Sequence, residues 1–338
     1  MNAPIDVFRL TRELIDVPSV TGEEFEIGNS LGELLNRLGY HVELQDIASE
    51  RSNIIATTEA PPRIVLSTHM DTVPPFIASS EDDEFIYGRG ACDAKGIIAA
   101  QIAAAEKLRA GGVREIGLLF TVDEEVTSGG AKVANDHPAA SACEYLINGE
   151  PTDNLLAVGT KGSLQAKIST HGRAAHSAYP EQGESAVEKL LDILQDLRST
   201  AWPGDEKFGE TTCNIGVISG GTRANVIPDS AQAIVQLRLA SDAAAIQNLL
   251  EERIGDRGSL EYTSVHNPVH LLTVDGFETM LARFTTDIPY LSNWGRPLLI
   301  GPGSILVAHT AGERVAKSDL LKAVEIYTDL VKRLSGSA

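Results

Sequence analysis

A chain of 338 residues is long enough for two domains, and its 43% hydrophobic content can fill their cores. With 28 basic against 47 acidic residues the net charge is −19, which disfavours nucleic acid and anionic membrane surfaces as partners. No apolar stretch approaches a membrane span, the first residues lack the apolar run of a secretory signal, and Cys92, Cys143 and Cys213 show no paired spacing, so a cytoplasmic location is expected.

Residues 5 to 15 and 23 to 38 have helical apolar spacing. Short apolar runs follow in "HVELQDI", "NIIATT" and "RIVLSTHMD". "DAKGIIAAQIAAAEKLRAGG" is an Ala-rich helix closed by Gly111 and Gly112. "EIGLLFTVD" reads as a strand, "SGGAKVANDH" opens a helix, and "EYLINGE" is a strand. Strands alternating with helices predict an α/β domain with a mostly parallel sheet. From about residue 162 the order becomes β-α-β-β-α-β with alternating strands, which predicts a ferredoxin-like domain with one wet face. After about residue 272 the α/β pattern returns, with a strand within "RPLLIGPGSILVAH" and a helix over 318 to 334. The second domain, 162–271, therefore reads as an insertion into the first, 1–161 and 272–338.

Ligands bind at the carboxyl ends of strands in open α/β sheets. After "RIVLST" come His69 and Asp71; after "FIYGRGAC", Asp93; after "LLFTV", Asp123, Glu124 and Glu125; after "EYLIN", Glu150; after "ILVA", His309. Three adjacent acids at one strand end repel each other unless something positive sits there. Mixed imidazole and carboxylate donors suit zinc, cobalt or manganese. "GRG" at 88 to 90 lacks the third glycine and the context of a dinucleotide fingerprint.

Seven segments in order, "STHMDTVP", "GRGACDAKG", "TVDEEVTSGGA", "NGEPT", "HGRAAHSAYP", "GGTRANVIPD" and "GPGSILVAHTAGE", resemble the dizinc metallopeptidase family of acetylornithine deacetylase, succinyl-diaminopimelate desuccinylase, aminoacylase-1 and carboxypeptidase G. The resemblance implies a zinc-exopeptidase-like catalytic domain with an inserted lid and dimerisation domain, two divalent ions, and a homodimer. It implies that Asp93 bridges the ions, that His69 and Glu150 complete one and that Glu125 and His309 complete the other. It further implies a cis peptide between Asp93 and Ala94. Asp71 would orient the His69 ring and Glu124 would be the general base; spacing alone does not separate Glu124 from Glu125. Asp123 reads as structural. His176 would polarise the scissile carbonyl from the lid, reaching the partner's metal site. Asn225, Arg238 and Gly303, with Gly301, would meet the substrate, and a guanidinium at 238 suits a free carboxylate.

One departure is Ala311-Gly312 where the family often has Pro-Asp; Glu313 is kept. The expected activity is metal-dependent hydrolysis of an amide in an N-acyl amino acid, as in an acetylornithine deacetylase-like deacylase. The alternatives are a di- or tripeptidase or carboxypeptidase with the same site and, from another class, a non-catalytic metal-binding scaffold.

Overall fold

The runs "IVLSTH" and "IGLLFT" are buried at every position, as strands covered on both faces must be. In the computed structural model, which describes residues 4–48 and 50–336, they lie side by side in the middle of a six-stranded sheet. The principal elements in chain order are α1 (Val7–Ile15), α2 (Phe25–Arg37), β1 (His41–Ala48), β2 (Arg51–Thr57), β3 (Ile64–His69), α3 (Lys95–Ala110), β4 (Ile116–Thr121), α4 (Gly129–Ala134), β5 (Tyr145–Asn148), β6 (Gly162–His171), α5 (Ala186–Ser199), β7 (Thr212–Gly220), β8 (Ser230–Leu239), α6 (Ala243–Ile254), β9 (Ser259–His266), β10 (Arg296–Leu299) and α7 (Lys317–Leu334).

The chain forms two units. One comprises the described residues of Met1–Val158, Leu271–Met280 and Thr286–Ala338; the other comprises Gly159–His270 and Leu281–Thr285. The first holds the sheet β1-β2-β4-β3-β5-β10. Its last four strands are parallel, and β1 and β2 extend it antiparallel. His69 lies opposite Thr121, while Ser67 and Leu299 flank Asn148. That register brings the carboxyl ends of all four parallel strands to one edge. Helix α3 is buried almost throughout and packs against α1 and α7. A helix enclosed on all sides must be apolar, and its alanines let neighbours approach closely.

The second unit is a sheet of order β7-β8-β6-β9 with antiparallel neighbours, its middle strands being the first and third in sequence. That is the ferredoxin-like arrangement. Alternate residues of β6 and β8, among them Leu164, Ile168, Val235 and Leu237, pack with Leu190 and Ile193 of α5 and Ile246 and Leu250 of α6. Edge strand β7 is largely exposed.

Two local expectations need correction. "FIYGRGAC" yields only the strand Phe85–Tyr87, which lies in a separate three-stranded sheet with Ser80–Glu81 and Arg314–Ala316. Asp93 therefore arrives on a loop leading into α3. "ILVA" at 305 to 308 is a turn, with Leu306 outward at 85% exposure and Ile305 and Val307 packed on the core. The strand there is β10, which stops before Gly301-Pro302-Gly303. Among the described residues no helix is long and apolar enough to cross a membrane.

Candidate metal centre

His69 ends β3 and is buried. Its Nδ1 lies 3.0 Å from the main-chain carbonyl oxygen of Asp71 and 3.5 Å from that residue's Oδ1. A ring that donates from Nδ1 keeps its Nε2 lone pair free for an ion. Nε2 faces Asp93 Oδ1 at 3.0 Å. The other oxygen, Asp93 Oδ2, lies 3.2 Å from His309 Nε2, which also meets Glu125 at 3.0 Å. Each oxygen of Asp93 thus faces a different imidazole. Two donors sharing one tetrahedral ion lie about 3.4 Å apart, so the side chains already stand near that spacing. Donor atoms of His69, Asp93 and Glu125 all lie within 4.8 Å of one another. The peptide between Asp93 and Ala94 is cis.

Glu150 follows β5 and is 4% exposed. A side chain at Gly301 would come within 2.5 Å of the Glu150 carbonyl, so glycine lets the two loops close together. Gly303 has φ +82° and packs on Cys92, beside Asp93. These contacts account for both glycines by packing.

The centre concentrates buried negative charge. Burial, reinforced by Glu150, pushes the Glu124 carboxyl well above its ordinary range, and burial does the same to Glu150. Burial disfavours charge on His69, yet hydrogen bonds to Asp71 and Asp93 hold its pKa well above the ordinary value. Asp93 and Glu125 raise His309 to about 10. Burial also opposes ionisation of Asp93, but the two imidazoles keep it below the carboxylate range. Without metal, protons neutralise this cluster; divalent cations would meet the same demand. The donor set fits such ions.

The segment between β4 and α4 carries Glu124 and Glu125, and three carboxylates hold it. Asp71 accepts from the backbone N–H groups of Glu124 (3.1 Å) and Glu125 (3.3 Å), and from Thr21 Oγ1 at 2.8 Å. Asp123 accepts from Thr127 Oγ1, Gly129 N and Arg51, and Arg51 also pairs with buried Glu24. Asp287, 2% exposed, accepts from Thr121 Oγ1 at 2.7 Å, and the Ser128 hydroxyl lies nearby. Asp123 is structural here, as expected; Asp287 was missed.

Glu313 was noticed only as a kept residue, yet it is buried and organises the approach to Asp93. It pairs with Arg89 and accepts from the backbone N–H groups of Gly90, Cys92 and Asp93.

The remaining predicted residues lie in the second unit. His176 pairs across a short ladder with Val226, and Ser177 N donates to the Asn225 carbonyl at 3.1 Å, so His176 and Asn225 are neighbours. His176 Nδ1 accepts from Ala178 N at 3.1 Å. Its neutral ring therefore carries the proton on Nε2, as a donor. Arg238 lies on β8 between Thr212 and Ser163. Burial alone lowers its pKa, with no carboxylate partner contributing.

Residues 158–259 match a family model described as a peptidase dimerisation domain, and residues 53–192 match one described as peptidase family M28. A peptidase M20 domain-containing protein of Schizosaccharomyces pombe is 36% identical over 337 residues, covering 96% of this chain and 84% of its own. The chain belongs to the peptidase M20 family. As an M20 protein it is a hydrolytic metalloenzyme. A probable carboxypeptidase of Aspergillus clavatus is 35% identical, with 95% of this chain and 87% of that protein covered. In structure, the M20 chain superposes on aminopeptidase PepT of Bacillus cereus with a TM-score of 0.81 at 22% identity, over 98% of this chain and 100% of that one. An M20 metallo-carboxypeptidase of Sulfolobus solfataricus gives 0.78 at 17% identity, over 98% and 99%. Both structures share the fold. The names of these M20 relatives fit the peptidase alternative better than the deacetylase-like reading.

Proposed function

We propose that this M20 protein is a zinc-dependent exopeptidase acting on small peptides with a free C-terminal carboxylate. The observation that carries the reading is Asp93, whose two oxygens face His69 and His309 separately. His69 and Glu150 would hold one ion, His309 and Glu125 the other, and Asp93 both. When bound, two divalent ions polarise the scissile carbonyl and lower the pKa of a water. Glu124 takes the proton of the attacking water and returns it to the leaving nitrogen. Asp71 keeps Glu124 and Glu125 in place through their backbone N–H groups. His176 donates from Nε2 to the oxygen that becomes negative, and Arg238 grips the carboxylate, with Asn225 beside His176.

The unit around 159–270 acts as lid and pairs with a second copy. The exposed edge β7, with Val217 and Ile218 outward at 51% and 57%, supports that pairing. The free thiols of all three cysteines fit the cytoplasm.

The deciding experiment is a substrate panel with zinc-loaded protein: free di- and tripeptides, their C-terminal amides, and N-acetyl amino acids. Free peptides should be cleaved and their amides spared. Turnover of N-acetyl amino acids alone would restore the deacylase reading, and no turnover at all would favour the scaffold.

A further inference from the structure

We propose that Asp287 is a positioning residue for the turn that carries Glu124 and Glu125. The proposal rests on the roles proposed above for those two glutamates. Asp287 comes from a segment distant in sequence and holds the start of the turn: it accepts at 2.7 Å from Thr121, the last residue of β4, while Ser128, which opens α4, lies nearby. The turn between them is strained. Asp123 and Ser128 are non-glycine residues in the left-handed region, at φ +68° and +54°. Such conformations persist only where the surroundings hold them. Asp123 is held by Arg51, Thr127 and Gly129.

Asp71 grips the middle of the turn, at the backbone of residues 124 and 125. Asp287 fixes its start through Thr121, so that the carboxylates of Glu124 and Glu125 project from a fixed base. One oxygen of Asp287 accepts from Thr121; the other, Oδ1, is buried without a hydrogen-bond partner among the described residues. A full carboxylate is therefore kept where the contact to Thr121 uses only one oxygen. An amide at 287 retains an accepting oxygen for the Thr121 hydroxyl, whereas alanine retains none.

The test measures zinc binding by competition with a chelating dye, and kcat and KM on a peptide from the panel above. Loss of a side chain that orients metal-binding groups costs about 10- to 100-fold in affinity or activity. Asp287→Ala should lose that much in the affinity of one of two zinc equivalents and in kcat, with KM little changed. Asp287→Asn should recover most of both. Thr121→Val should match Asp287→Ala, and combining the two should add little, because both remove one contact. Wild-type zinc affinity in Asp287→Ala overturns the proposal, as does an asparagine variant no better than alanine. If Asp287→Ala does not fold, unchanged zinc affinity and kcat in Thr121→Val overturns it instead. If the panel yields no peptide substrate, the zinc measurement still decides.

Discussion

Asp71 holds Glu124 by the backbone: its Oδ1 accepts from the Glu124 N–H at 3.1 Å, while its own main-chain carbonyl sits 3.0 Å from His69 Nδ1. One residue thereby sets the tautomer of a proposed metal ligand and the position of the proposed base. Asp71→Ala leaves the N–H groups of Glu124 and Glu125 and the Thr21 hydroxyl without their acceptor. We expect kcat to fall about 10- to 100-fold while the His69 carbonyl contact survives. Steady-state kinetics with zinc analysis checks this; an unchanged kcat would remove Asp71 from the mechanism.

Glu124 and Glu125 separate by metal content. Glu124→Gln should retain both zinc ions and lose about 10²- to 10⁴-fold in kcat. Glu125→Ala should lose zinc, because Glu125 lies 3.0 Å from His309 and within the donor cluster. Elemental analysis of the purified variants reads the difference, and the reverse pattern would exchange the two roles.

The metal-free protein should lose stability as pH rises. His309 is raised from 6.5 to about 10, and Glu124 and Glu150 are raised above 4.5. Groups with a raised folded pKa stabilise below their unfolded pKa and lose that contribution as pH climbs through the folded one. Asp93, held low, acts oppositely: its contribution is present above about 4 and fades in acid. The Tm of metal-free protein should therefore decline from neutral pH to about 10, and zinc should reduce the decline by replacing protons with fixed cations. Calorimetry of both forms across this range tests it, and parallel profiles would contradict it.

Arg238→Met should raise KM for free peptides by about 10- to 100-fold, the worth of a charge-assisted hydrogen bond of roughly 1.5–3 kcal/mol. C-terminal amides, already poor, should change little. Equal effects on both substrates would mean that Arg238 does not meet the carboxylate.

Cross-subunit action of His176 predicts complementation. Glu124→Ala and His176→Ala should each be inactive, but a mixed dimer should restore one intact site. With random pairing about half the dimers are mixed, so about a quarter of sites recover. No recovery in verified mixed dimers would confine His176 to its own subunit.

Much of the architecture is legible in the sequence because it is periodic. The mainly apolar runs at 64–69 and 116–121 are buried at every position, and the alternation in 162–171 and 230–239 has one dry face. Strand-end logic accounts for His69 and Glu125, since a register shared by parallel strands brings their ends together; Asp93 and His309 join them from loops, and only the ordered motifs mark those two.

Local pattern stops where the chain leaves regular structure. "ILVA" has the composition of a strand, but it follows Gly301-Pro302-Gly303 and folds as a turn that presents His309 at φ +62°. Asp93 lies in a loop, tied down by Glu313 through backbone N–H groups. Asp287 sits in "TTDIPY", where no sequence motif marks it; its distant partner Thr121 distinguishes it. The sequence alone determined the elements, their order and the residues able to bind metal, because hydrophobic period and residue chemistry are local properties. Tertiary structure decided which carboxylates point at imidazoles and which grip backbone, because the partner of a buried acid is set by packing between segments far apart in the chain.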